Sequence, residues 1–302
     1  MTFKDYHSKQ IRPNHSARQT MKKASRTIKF ISGITTALFL TLAGCAIDNP
    51  IDYTTGGYEA GPQGGAGSEE SLETGSTAVR TIAAGKYYSC AILDNQSVEC
   101  WGDNSNGEVS VPANLGIVSS IAGRAYHSCV VLEDKGLECW GGNFSGQNSV
   151  PVSLGPVSNI YTGAGHTCAL MEDKSIECWG WDAYGQSSPP ANLNGVTEIA
   201  TGNNTTCVIL DDQSVECWGE NNRGQTNVPA NLGPVVDISG GNFHTCALLE
   251  NQTIECWGRN DEGQTNVPTN LGAVASISVG WDHSCALMTD KSVECWGRNT
   301  EG

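Results

Sequence analysis

Residues 246–258 read Cys246-Ala-Leu-Leu-Glu-Asn-Gln-Thr-Ile-Glu-Cys256-Trp-Gly. Two short apolar runs flank a polar bend at Glu250–Thr253, the pattern of a β-hairpin. With the bend midway, cysteines ten positions apart fall opposite each other on one sheet face. Opposed Cβ atoms there approach closely enough for a disulfide. Zinc is the competing chemistry, but a pair supplies two ligands where structural zinc takes four. The segment predicts a hairpin stapled by its own disulfide.

The same stretch recurs along the chain. Cys-Trp-Gly begins at Cys100, Cys139, Cys178, Cys217, Cys256 and Cys295, every interval being 39 residues. Cys90, Cys129, Cys168, Cys207, Cys246 and Cys285 each precede one of these by ten. These six pairs and Cys45 make up the thirteen cysteines. A loop with Gly107, Gly146, Gly185, Gly224 or Gly263 follows each of the first five motifs, and then a further apolar strand such as Val235-Val236-Asp237-Ile238. Three or four strands per repeat are too short to bury both faces alone, and radial stacking of small sheets solves that problem. The expected fold class is therefore all-β: a β-propeller of about 39-residue blades, six repeats visible, forming a ring of six or an incomplete seven. Each bridge closes a loop of about 11 residues, contributing roughly 2–3 kcal/mol in the chain-entropy account.

Disulfides need an oxidising compartment, and the N-terminus supplies a route to one. Lys22, Lys23, Arg26 and Lys29 precede an apolar run from Phe30 to Leu42, then Leu42-Ala43-Gly44-Cys45. The run suits a signal-peptide core and is short for a membrane span. Met21 is an alternative start. Leu42–Cys45 resembles the lipobox of bacterial lipoproteins. That resemblance implies cleavage before Cys45 and acylation of its sulfur and new amine, several chains giving stable anchoring. Ala46 follows, where Asp would mark inner-membrane retention by the enterobacterial sorting rule. The expectation is a lipid-anchored protein of the bacterial cell envelope, at the outer membrane, on its periplasmic face or the cell surface. Residues 1–44 read as signal peptide, 45–78 as lipidated Cys45 and a flexible Gly-, Ser- and Glu-rich linker, and 79–302 as the repeat domain.

Eight of the 17 bases and one of the 32 acids lie within residues 1–45, leaving nine bases against 31 acids beyond. So acidic a surface argues against nucleic-acid binding.

The string His-Ser/Thr-Cys-Ala-Leu, a bend, then Val-Glu-Cys-Trp-Gly-x-Asn-x-x-Gly-Gln resembles the regulator of chromosome condensation repeat family. That family implies a seven-bladed propeller. The Gly-Gln-Thr-x-Val-Pro variant is similar to the secreted propeller-type β-lactamase inhibitors. Cysteines here occupy positions that are small or apolar in the family.

His127, His166, His244 and His283 each stand two positions before a first cysteine, and a repeat-defined structural contact is expected of them. Glu99, Glu138, Glu177, Glu216, Glu255 and Glu294 are expected at solvated strand positions. The loop Asp103–Glu108 has calcium-loop residue types, but its sister loops lack the carboxylates, so turn formation is expected. The six motif tryptophans are expected between blades. Trp181, Tyr184, Phe243 and Trp281 fall outside the repeat pattern, as does Phe144, and aromatics anchor interfaces. No nucleophile elbow, catalytic triad spacing, phosphate loop or metal quartet is present. The reading is a non-enzymatic scaffold for an unknown protein partner, with no cofactor or small-molecule substrate, and with membrane contact only through the lipid. The alternatives are an inhibitor of a secreted or periplasmic hydrolase, or a purely structural envelope protein.

Overall fold

A computed structural model of the chain describes residues 78–300. The segment read as a signal peptide, Cys45 and nearly all of the expected linker lie outside them. The described part is all-β: six sheets of three consecutive antiparallel strands. Blade 1 comprises Val79–Ala84, Tyr88–Leu93 and Val98–Gly102. Blades 2 to 5 follow in order, with first strands Val118–Arg124, Val157–Thr162, Val196–Thr201 and Val235–Gly240 and third strands ending at Gly141, Gly180, Gly219 and Gly258, and blade 6 comprises Val274–Val279, His283–Met288 and Val293–Gly297. First strands of consecutive blades contact one another and form the inner layer.

Each hairpin between second and third strands is self-contained. Cys90 faces Cys100 and Cys246 faces Cys256 in direct cross-strand register. All six bridges form, with Cα atoms 4.0–4.1 Å apart. At each bend a side-chain oxygen of Asn95, Asp134, Asp173, Asp212, Asn251 or Asp290 accepts the backbone N–H two residues on, at 2.9–3.1 Å. The residue between, Gln96, Lys135, Lys174, Gln213, Gln252 or Lys291, adopts φ of 64–74°. The Asx bond stabilises this left-handed bend in the absence of glycine.

The glycine of Cys-Trp-Gly has a sharper reason. Gly258 has φ 104°, and a Cβ there would lie 2.5 Å from Phe243 O and 2.9 Å from His244 Cα. Only a hydrogen side chain lets the third strand close against the start of the second.

Blades are joined by a repeated relay. Thr167 Oγ1 donates to Gln147 O at 2.9 Å, and His127 Nε2 lies 2.8 Å from that hydroxyl. The hydroxyl proton being committed, His127 must donate through Nε2. His166–Thr206–Gln186 and His244–Ser284–Gln264 repeat the arrangement. Trp140, Trp179, Trp218, Trp257 and Trp296 each donate Nε1–H to the carbonyl of Glu108, Gln147, Gln186, Gln225 or Gln264, at 2.8–3.1 Å. The Gly-Gln loop of one repeat thus caps the next blade. The same Gln fastens its own loop, Gln186 Oε1 accepting Tyr184 N–H at 3.0 Å.

The faces at the two ends of the series differ from the internal ones. Cys246, Leu248 and Ile254 of blade 5 pack on Val274 and Ile277 of blade 6. Their counterpart Val293 on blade 6 is 56% exposed, and on blade 1 Ile82 is 46% and Trp101 50% exposed, against 6% for Trp140. The expectation of every motif tryptophan between blades thus holds for the internal ones and departs at Trp101, which has no described blade before it. Blades 1 and 6 are not packed on one another as internal neighbours are.

Candidate interaction face

The strand order gives each blade two unlike ends. One carries the bends between second and third strands, here the hairpin end. The other carries the turns between first and second strands and the exits of the third strands, here the turn end. Residues 86, 125, 164, 203, 242 and 281 are one column of the repeat, and are Lys, Ala, Ala, Asn, Asn and Trp. The next column is Tyr87, Tyr126, Gly165, Asn204, Phe243 and Asp282. Neighbouring turns hold hands through the backbone: Lys86 N to Ala125 O, Asn203 N to Gly241 O and Asn242 N to Trp281 O, at 3.1–3.2 Å.

All four aromatic candidates lie at this turn end, Trp181 and Tyr184 after the third blade, Phe243 in the fifth and Trp281 in the sixth. Trp181 donates its backbone N–H to Gly165 O at 2.7 Å, and its side chain lies against the space a Cβ on Gly165 would take. Tyr184 stands exposed on the following loop, anchored through Gln186. Phe243 is half-buried, its carbonyl accepting Arg259 N–H at 2.8 Å. Phe144, 72% exposed, sits beside Tyr126 around Gly142.

Trp281 joins a cluster that contains residues the sequence reading missed. Lys86 Nζ lies 5.0 Å from the Tyr87 ring centroid, 5.5 Å from Tyr126 and 4.9 Å from Trp281. It also donates to Tyr126 Oη at 3.2 Å. This is cation–π geometry, and it brings the first blade to the last at the turn end. Burial opposes the Lys86 charge, yet the Tyr126 and Tyr87 hydroxyls outweigh it and raise the pKa above the ordinary lysine value. Aligning the six repeats in columns was the signal available: the turn columns are where the repeat stops repeating.

The axis beneath carries its own charges. Arg124, at the turn end of its strand, crosses from blade 2 and donates through Nη1 to Thr201 O at 3.0 Å and Gly240 O at 2.9 Å. Burial brings its guanidinium down to about 10. Glu198 and Asp237 occupy equivalent register positions on neighbouring first strands. Burial, then the nearby Asp237, raises Glu198 to about 8. Asp237 is raised by burial, while its carboxylate accepts Ile277 N–H at 3.0 Å.

The relay histidines are structural contacts: His127, His166 and His244 are buried, and burial holds them at about 3, 3 and 4. The recurrent glutamates are exposed in five blades, Glu177 being partly covered. Among the described residues, no group of three or more His, Cys, Asp or Glu is placed to hold a metal.

The Regulator of chromosome condensation (RCC1) repeat model matches residues 79–108, 157–186, 196–225, 235–264 and 274–302. The second blade falls outside these matches yet keeps the strand order, the bridge and the relay. No curated protein matches the chain. Among solved structures, the CRINKLY WD40 ectodomain of the Arabidopsis thaliana receptor kinase ACR4 is 26% identical, over 74% of this chain and 80% of that one, with a TM-score of 0.62. Prp20p of Saccharomyces cerevisiae, described by its binding to Gsp1p and histones, is 18% identical over 72% of each chain, with a TM-score of 0.63. Human WBSCR16 is 20% identical over 74% and 77%, with a TM-score of 0.62. The last two likenesses concern the fold alone. With five repeats matched and the propeller shared, the chain belongs to the RCC1 repeat family.

Proposed function

We propose that this chain is a non-enzymatic scaffold that binds a protein through its turn end, held at the bacterial cell envelope by a lipid on Cys45. The observation that carries the reading is the contrast within each repeat. Framework positions recur in every blade, whereas the turn columns hold Lys86, Tyr87, Tyr126, Phe243 and Trp281, and the loops leaving the third strands hold Phe144, Trp181 and Tyr184. Rigid aromatic side chains on a fixed frame are what protein-recognition surfaces use. The Prp20p propeller, which binds Gsp1p and histones, supports a protein partner for this fold. The twelve bridged cysteines support an exported location.

The test has two arms. Trp181→Ala, Tyr184→Ala, Phe243→Ala and Trp281→Ala are compared with hairpin-end controls such as Glu172→Ala in capture from an envelope extract. The expected result is at least one captured species weakened about tenfold or more by a turn-end substitution and unchanged by the control. Retention of every captured species by all four variants overturns the binding face. Intact mass of the mature chain reads the anchor: acyl mass on an N-terminal Cys45 is expected, and an unmodified Cys45 overturns it.

A further inference from the structure

Three rings converge on one ammonium at the turn end. Tyr87, Tyr126 and Trp281 come from blades 1, 2 and 6, and their ring centroids lie 5.0, 5.5 and 4.9 Å from Lys86 Nζ. The faces of such rings attract cations. The Tyr126 hydroxyl adds a hydrogen-bond acceptor, 3.2 Å from the same nitrogen. Together they form an aromatic cage with a primary ammonium in it.

The frame holds the cage independently of its occupant. Tyr87 O accepts Asp103 N–H at 2.9 Å, Tyr126 O accepts Gly142 N–H at 2.7 Å and Trp281 O accepts Asn242 N–H at 3.2 Å. Lys86 enters on a flexible four-carbon stem. Among the described residues it makes no ion pair, so its ammonium leaves no carboxylate behind on swinging out. The rim is open, for Tyr87 and Trp281 are both exposed. Beyond residue 45 the chain has nine bases against 31 acids, a balance that draws cations toward the molecule.

We infer that this cage is a receptor for a lysine side chain of the protein partner, and that Lys86 is a tethered stand-in which the partner's lysine displaces. The occupant shows what the cage accepts: an alkylammonium with an N–H for the Tyr126 hydroxyl. Charge complementarity between an acidic molecule and a basic partner brings the second lysine to it. A tethered competitor acts at high effective concentration. Lys86 therefore weakens a lone incoming lysine and reserves the cage for a partner that also engages the surrounding aromatic face. The inference rests on the binding-face reading and deepens it by naming the chemistry that the face accepts.

The probe is the capped tripeptide acetyl-Gly-Lys-Gly-amide, titrated into the full-length chain at constant ionic strength while the Trp281 indole N–H is followed by NMR. The peptide with norleucine in place of lysine, which keeps the stem and loses the charge, and n-butylammonium serve as comparison arms. In Lys86→Ala, whose melting curve should match that of the unaltered chain, the Lys peptide should saturate the Trp281 shift. It should bind there on the order of tenfold tighter than to the unaltered chain, and tighter than the norleucine peptide by a similar factor. Adding Tyr87→Leu to Lys86→Ala should lose about that factor again. No saturable shift in Lys86→Ala, equal response to the lysine and norleucine peptides, equal binding by the unaltered chain, or full binding without the Tyr87 ring overturns the proposal. So does saturation by n-butylammonium with no response to the Lys peptide, which assigns the cage to a free amine. No partner enters this assay, so its failure leaves the aromatic face to be judged by the capture experiment.

Discussion

The hairpin end and the turn end are built from the same six blades by opposite rules. At the hairpin end each blade sets its own bend. The Asx bond, the left-handed bend and the disulfide are all internal to one pair of strands, so the same residue types return each time. Neighbouring bends also meet, Lys135 O accepting Val157 N–H at 3.3 Å and Lys174 O accepting Val196 N–H at 3.1 Å, while the ion pairs between them, such as Lys135 with Glu172 at 3.1 Å and Lys174 with Asp211, are exposed and contribute little. At the turn end each blade leans on others. Lys86 meets residues from blades 2 and 6, and Arg124 reaches blades 4 and 5. A contact between different blades does not require identical partners, so this end is free to vary. Substitutions in repeated positions should therefore act on stability, and those in the turn columns on recognition.

The largest expected effect comes from pH and falls on the turn end, where the relay histidines lie. His127, His166 and His244 are neutral when folded, with pKa values of about 3, 3 and 4 against 6.5 unfolded. The unfolded chain binds more protons between those values, so their contribution is complete above pH 6.5 and is lost as pH falls toward 3–4. The loss should total on the order of 10 kcal/mol, seen as a falling denaturation midpoint. Hydrogen exchange should open the turn end before the hairpin end. Glu198 acts in the opposite sense. Its pKa is raised from 4.5 to about 8, so stability should decline as pH rises through that window, and Glu198→Gln should flatten that limb alone. A flat profile from pH 4 to 7 would contradict the neutral relay.

Next comes Gly258→Ala. Forcing a Cβ against Phe243 O at a positive φ should cost about 3 kcal/mol in urea denaturation. Phe243→Ala, one contact away but in a turn column, should cost under about 1 kcal/mol. Equal losses would erase the distinction between frame and display. The smallest effect sharpens the hairpin end: Lys174→Gly relieves the left-handed bend at φ 67°. The gain should be about 0.5 kcal/mol, reduced by the entropy glycine adds to the unfolded chain.

Much of this architecture is readable because its causes are local. A spacing of ten with a bend midway decides that Cys246 faces Cys256, and repetition at 39 residues decides that the sheets stack. Trp181, Tyr184, Phe243 and Trp281 could be singled out only by failing to repeat, and that criterion placed all four at the turn end. It could not say which come together. Trp281 and Lys86 are 195 positions apart, and nothing in either neighbourhood announces the other. Arg124 reads as an ordinary strand-end residue until the ring places two foreign carbonyls in its reach. The histidine relay was anticipated as structural, whereas its partner, the Ser or Thr forty residues on, depends on how far one blade is rotated from the next.

The relay also has a direction. For the internal blades, what a newly arriving sheet needs lies upstream: the Gly-Gln carbonyl that accepts its tryptophan and its hydroxyl, and the histidine that meets that hydroxyl, all belong to the preceding repeat. A polypeptide threaded amino end first through a narrow exit would find each acceptor already waiting. Assembly could then proceed as a zipper, one tooth at a time, with no sheet idle until synthesis is complete.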